Sequence, residues 1–235
     1  MLKAISARLG ADYYLFQTET SRNGFCSRYF WSQDKTDIVA NAIGTDFSQR
    51  EPLAAQESQK KIIFCPSAYY PHKNLEIIIR LADRFRDRND IEFIVTTLED
   101  SKFNDKIVSS GLSNLYSIGP YSYADAYKLY SQANVIIQPS LLETFSTTYI
   151  EAIALSKPLI AADTEFSREI CIDYAIYYDS ENIDSAVAAV EQALANSYTV
   201  DPEARMNVLN KYGTQEQRYE RIKAIFNKVI SDTST

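Results

Sequence analysis

The stretch NVIIQPSLLETFSTTYIEAIALSKPLIAAD, residues 134–163, decides the fold. It opens on a short apolar run that ends at a proline and passes through a polar loop. Residues at helical spacing follow, and a second apolar run closes the stretch. Strands this apolar, without polar alternation and separated by a helix, describe a parallel sheet covered on both faces. The same pattern continues in both directions. Residues 61–66, 91–97, 114–119 and 175–179 read as further strands. Between them lie helices at 74–86, with Leu75, Ile78, Ile79, Ala82 and Phe85 on one face, and at 123–132, with Ala126, Leu129 and Tyr130 facing in. An amphipathic helix at 183–196 completes the alternation. The expected fold class is α/β, a doubly wound parallel sheet within a domain assigned to residues 61–212.

The flanks behave differently. Residues 1–9 look like the tail of a helix, 13–18 a strand, 19–30 a helix and 37–44 a second strand. Two short strands and one helix do not close a core. Residues 1–48 are therefore expected to be the end of another domain, joined through a polar linker at 49–60. A long helix at 215–230 lies outside the alternation, within a C-terminal helix and tail at 213–235. The apolar edge of the first segment predicts self-association or a separate partner chain.

Composition narrows the function. Hydrophobic residues make up 46% of the 235, enough for a real core. A net charge of −7 argues against nucleic acid, whose binding rests on phosphate neutralisation by basic surface. Local helix geometry can still hold one phosphorylated ligand on an acidic chain. Cys26, Cys65 and Cys171 are far apart and form no CxxC pair, so they read as free thiols. A single histidine, His72, leaves too few soft ligands for zinc. No apolar run reaches a membrane span, and the expected location is the cytoplasm, extending to the inner face of the membrane.

In a doubly wound sheet, ligands sit beyond the carboxyl ends of the strands. Three loops there carry candidate chemistry. In residues 138–152, Ser146, Thr147 and Thr148 stand at a helix start, where free N–H groups and hydroxyls make a phosphate site. Glu143 precedes that helix and Glu151 lies about one turn inside it, so the two could straddle a diphosphate. The same residues also describe an ordinary capped helix with a solvated glutamate. In residues 67–74, Lys73 falls near a helix start, where a cation is unfavourable unless an anion is present. His72 beside it is either a ligand donor or a solvated loop residue. Gly119, in SIGPY, permits close backbone approach or simply a turn.

Taken together and in this order, these motifs resemble the family-4 glycosyltransferases of the GT-B fold, from about Asp12 to the end. The most specific element is the pair Glu143 and Glu151, with seven residues between them, after a PS turn and before EAIALSKPLIAAD. The resemblance implies a retaining transfer of sugar from a nucleotide-diphosphate sugar to a glycan or lipid-linked acceptor. Glu143 and Lys73 would be the catalytic pair, the first on the sugar and the second on the diphosphate. Glu151 would hold the ribose. Ser146, Thr147, Thr148, Phe145 and His72 would complete the donor site, with Gly119 and Tyr121 at the base. It implies no metal, no cofactor beyond the donor substrate, and no protein nucleophile on this half. Two places depart from the pattern. Residues 143–146 read ETFS where many members carry an EGFG-like loop, and Ala68 stands where many carry an arginine. The alternative reading is a catalytically silent nucleotide-binding or interaction fragment.

Overall fold

A computed structural model describes residues 10–44, 47 and 60–233. The expected helical tail at 1–9 and, Lys60 apart, the linker at 49–60 lie outside them. The chain begins with β1 (Tyr14–Phe16), α1 (Glu19–Tyr29) and β2 (Thr36–Ile38). Then come β3 (Lys61–Cys65), α2 (Glu76–Arg84), β4 (Ile91–Val95), α3 (Lys102–Ser110) and β5 (Leu115–Ser117). The second half holds α4 (Tyr123–Gln132), β6 (Val135–Gln138), α5 (Thr147–Ala154), β7 (Leu159–Ala162), α6 (Glu165–Cys171) and β8 (Ile176–Tyr178). Helices α7 (Ile183–Leu194), α8 (Pro202–Tyr212) and α9 (Gln215–Thr233) close the chain. Among the described residues no helix is long and apolar enough to cross a membrane.

Strands β3 to β8 form one parallel sheet in the order β5-β4-β3-β6-β7-β8, the expected doubly wound α/β arrangement. The chain winds outward from β3 through β4 to β5, then returns to β6 on the other side of β3 and winds outward again. The order therefore reverses between β3 and β6, where a crevice opens beyond the strand ends. Successive residues of β3 point to opposite faces, as the pleat requires. Ile63 and Cys65 join one core with Ile78 and Leu81 of α2, and with Phe93 and Val190. Phe64 enters the other core with Tyr130, Ile136, Tyr149 and Ile153. This two-sided burial is why the strands carry no polar alternation.

Most helix starts are closed by their own side chains. Ser101 caps α3, Ser122 α4, Asn182 α7 and Asp201 α8, while Thr164 and Ser167 cap α6 reciprocally. Helix α5 is an exception: its N-cap Ser146 makes no side-chain cap hydrogen bond.

The N-terminal segment forms a separate two-stranded parallel sheet, β1 with β2. The strand expected over 37–44 ends at Ile38. Val39 N still reaches Phe16 O at 2.7 Å, but β1 offers no further partner, and the chain then crosses to the larger unit. Arg218 and Gln215 of α9 hold the crossing through the carbonyls of Ala40 and Ala42. Ile43 and Phe47 end buried in the core beneath α4, with Phe47 packed edge-on to Tyr130 at 5.4 Å.

Candidate functional site

The loops after β3 and β6 meet at the switch point. Residues Pro71–Lys73 form one 3-10 turn, closed by Asn74 in a left-handed conformation. This turn lies against the β6–α5 loop, where Leu141 N donates to His72 O at 2.7 Å. The side chains of Lys73 and Glu143 consequently face each other and form an ion pair, both mostly buried. Ser140 Oγ also donates to Glu143 Oε1, at 3.0 Å. A cation and a carboxylate 70 residues apart in sequence are thus brought to one point.

Helix α5 starts shortly after Glu143. Its N-cap Ser146 is buried, and its hydroxyl accepts Gln138 Nε2 at 3.1 Å instead of bonding the helix's own N–H groups. Those first-turn donors are left without a side-chain cap, which gives the end a partial positive charge. Thr147 is exposed at the start, and Thr148 is buried. Phe145 points away from the crevice: its ring is in the core, edge-on to Tyr212 at 5.3 Å, so only its backbone is available to a ligand.

Glu151 projects one turn further along and is half-buried. Burial pushes its carboxyl up from the ordinary value, and the nearby hydroxyls of Tyr130 and Thr147 pull it part of the way back. The Tyr130 hydroxyl is itself fully buried and lacks a hydrogen bond of ordinary geometry. Tyr121 lies on the same side. Burial, and then the charge of Glu151, push its phenol up to about 12. Lys73 pairs with Glu143 and not with Glu151.

Tyr121 follows a turn that needs Gly119, whose φ is +74°. That turn forms one wall of a cleft of about 440 Å³ at the ends of β3, β4 and β5. Pro66, Ala68 and Tyr70 form another wall, and Thr96 and Leu98 a third. His72 is exposed and stacked on Tyr70, with ring centroids 5.8 Å apart. It lines a second cleft, of about 580 Å³, between the β6–α5 loop and α1, together with Glu143, Thr144, Phe16 and Phe25.

The structure therefore places Lys73 and Glu143 in contact, with the α5 start beside them and Glu151 and Tyr121 together one step along. Sequence reasoning did not select Ser140, Tyr130 or any residue of α1. Tyr130 reads as plain core because its helical spacing is that of an inner face. The α1 residues carry no local motif at all.

Comparison with known proteins supplies the family. Residues 47–216, well over half of the chain, match the family model described as glycosyl transferases group 1. An uncharacterized glycosyltransferase of Methanocaldococcus jannaschii is 23% identical over 80% of this chain and 53% of its own length. The O-antigen chain mannosyltransferase RfbU of Salmonella typhimurium is 22% identical over 74% of this chain and 49% of its own. The chain thus spans about half the length of these curated relatives. Among solved structures, sucrose-phosphate synthase of Thermosynechococcus elongatus superposes with a TM-score of 0.81 at 15% identity, over 98% of this chain and 62% of that one. A TarM structure from S. aureus, holding UDP, superposes with a TM-score of 0.77 at 19% identity, over 95% of this chain and 45% of that one. At such identities the superpositions speak for the fold, a Rossmann-like unit of the GT-B type. The chain belongs to the group 1 glycosyl transferases.

Proposed function

We propose that residues 61–212 bind the nucleotide-diphosphate sugar of a retaining, family-4-like glycosyltransferase, and that residues 10–44 close off the acceptor-side domain. The observation that carries this reading is the Lys73–Glu143 pair at the sheet's switch point, beside a helix start whose N–H groups have no side-chain cap. A diphosphate lodged there would meet the α5 amide groups and the Lys73 ammonium. Lys73 would exchange its carboxylate partner for phosphate, freeing Glu143 to turn toward the sugar hydroxyls. Glu151, beside the buried hydroxyl of Tyr130, would take the ribose. The base would lie in the cleft formed by Pro66, Thr96, Leu98 and Tyr121.

In the reaction, the bond from the sugar's anomeric carbon to the diphosphate breaks and a bond to the acceptor oxygen forms on the same face. The acceptor proton passes to the leaving diphosphate. Stabilising that growing negative charge is the protein's principal contribution, through groups aimed at it in advance. The acceptor is a glycan or a glycoconjugate. One relative is a mannosyltransferase by name and a TarM structure holds UDP, so GDP-mannose and UDP-hexoses are the donors to try first. Calorimetric titration tests the assignment. Glu151→Ala is expected to weaken donor binding at least about tenfold, the loss of one charge-assisted hydrogen bond of roughly 1.5–3 kcal/mol. Unchanged affinity would remove Glu151 from the site.

A further inference from the structure

Helix α1 is tied to the β6–α5 loop by groups that the donor site does not use. Thr18 is only 1% exposed and caps α1, accepting Ser21 N at 3.1 Å. The Thr18 hydroxyl faces both Ser21 Oγ, at 2.7 Å, and the Thr144 carbonyl, at 3.0 Å, and Ser21 Oγ lies 3.3 Å from the same carbonyl, so the two hydroxyls together cover the Thr144 oxygen. From the other side, Glu169 of α6 accepts Glu19 N at 2.6 Å, Thr20 N at 2.9 Å and Thr20 Oγ1 at 2.7 Å. The first turn of α1 is thereby held in place by one carboxylate while it grips a carbonyl of the loop.

Thr144 follows Glu143 directly. On the other side of Glu143, Leu141 N is bonded to His72 O. The backbone that carries Glu143 is thus anchored before and after it. Under the donor reading, on which this step rests, Glu143 must leave Lys73 for the sugar while its Cα stays where it is. We propose that Thr18, supported by Ser21 and Glu169, is a positioning residue for Glu143. It holds the loop so that the carboxylate, once released from Lys73, is already directed at the sugar.

The test compares each sugar nucleotide with its own diphosphate, because only the former engages Glu143. Calorimetry on the full chain uses UDP-glucose, UDP-N-acetylglucosamine and GDP-mannose against UDP and GDP. Thr18→Val is expected to cut the preference for sugar nucleotide over diphosphate roughly fivefold, the effect of one neutral hydrogen bond, with diphosphate affinity kept within about twofold. Thr18→Ser, which keeps the hydroxyl, should restore the preference. In a Glu143→Gln background Thr18→Val should add nothing further, since the two act through one contact. Should Thr18→Val fail to fold, Ser21→Ala reads the same change at smaller size. Equal weakening of sugar nucleotide and diphosphate, or additive loss with Glu143→Gln, would overturn the proposal and leave Thr18 a plain helix cap. If none of the three donors binds, the donor reading falls as well. If donors bind and only Glu143→Gln lowers the preference, that reading stands and the Thr18 role alone is refuted.

Discussion

Glu151 shows how a carboxylate that reads as a solvated helix residue acquires a different character once folded. Its helix is only eight residues long and lies with most of its side chains buried, so Glu151 has little access to water. Burial raises its pKa, which means that the folded chain binds its proton more tightly than the unfolded chain does. The consequence for stability has a definite sign. As pH rises through the carboxylate range, the unfolded state gives up this proton first, and stability falls until the folded carboxyl has also ionised. Glu151→Gln keeps the shape without the charge. Its melting temperature should exceed that of the parent at a pH of about 7.5, and the gap should narrow as pH falls toward about 5, nearer the ordinary carboxylate pKa. Differential scanning calorimetry at the two pH values checks this. A gap that widens on acidification would contradict the burial account.

At the scale of elements, the short helix α5 is held from behind by a helix that local periodicity does not reveal. Helix α8 buries only Ala204, Val208 and Tyr212, too sparse a stripe to read as an amphipathic repeat. From it Arg205 donates through Nε to Ile153 O at 3.0 Å and through Nη2 to Ala154 O at 2.7 Å, satisfying the last carbonyls of α5. Helix α6 also escapes sequence reading, because seven residues make fewer than two turns. Lys157 performs a similar task for α4, donating to Ser131 O and Ala133 O. Arg205→Ala leaves two carbonyls of a packed helix without donors, and should lower stability by about 1–3 kcal/mol. Urea unfolding would show the loss as a shift in midpoint at constant slope. A midpoint unchanged by the substitution would mean that water replaces the guanidinium.

At the scale of the whole molecule, the N-terminal segment is attached by polar contacts and by the buried Ile43 and Phe47, and it still presents apolar surface. Phe30 is 86% exposed and Leu15 41%, and β1 and β2 pair only with each other among the described residues. Such a surface favours self-association. Phe30 also sits at φ 52°, the left-handed conformation in which a helix C-terminus prefers glycine or asparagine. Phe30→Asn removes an exposed ring and suits the backbone better. It should stabilise α1 by about 0.5–1 kcal/mol and reduce concentration-dependent association in sedimentation velocity. If both chains sediment as the same monomer over the accessible concentration range, Phe30 is not part of an association surface.

The doubly wound sheet was legible in the chain because its central strands β6 and β7 are buried on both faces, so they register locally as the apolar runs VIIQ and LIAA. The spacing of Glu143 and Glu151 around a helix start was legible for the same reason, since all of it lies within one strand–loop–helix unit. Which groups meet was not. Lys73 reaches Glu143 only because the strand order reverses between β3 and β6, and Phe145 turns into a core to which the distant α8 contributes Tyr212. Thr18 grips Thr144 across 126 positions. Contacts of that kind depend on how elements pack against one another, and periodicity carries no record of packing between distant segments.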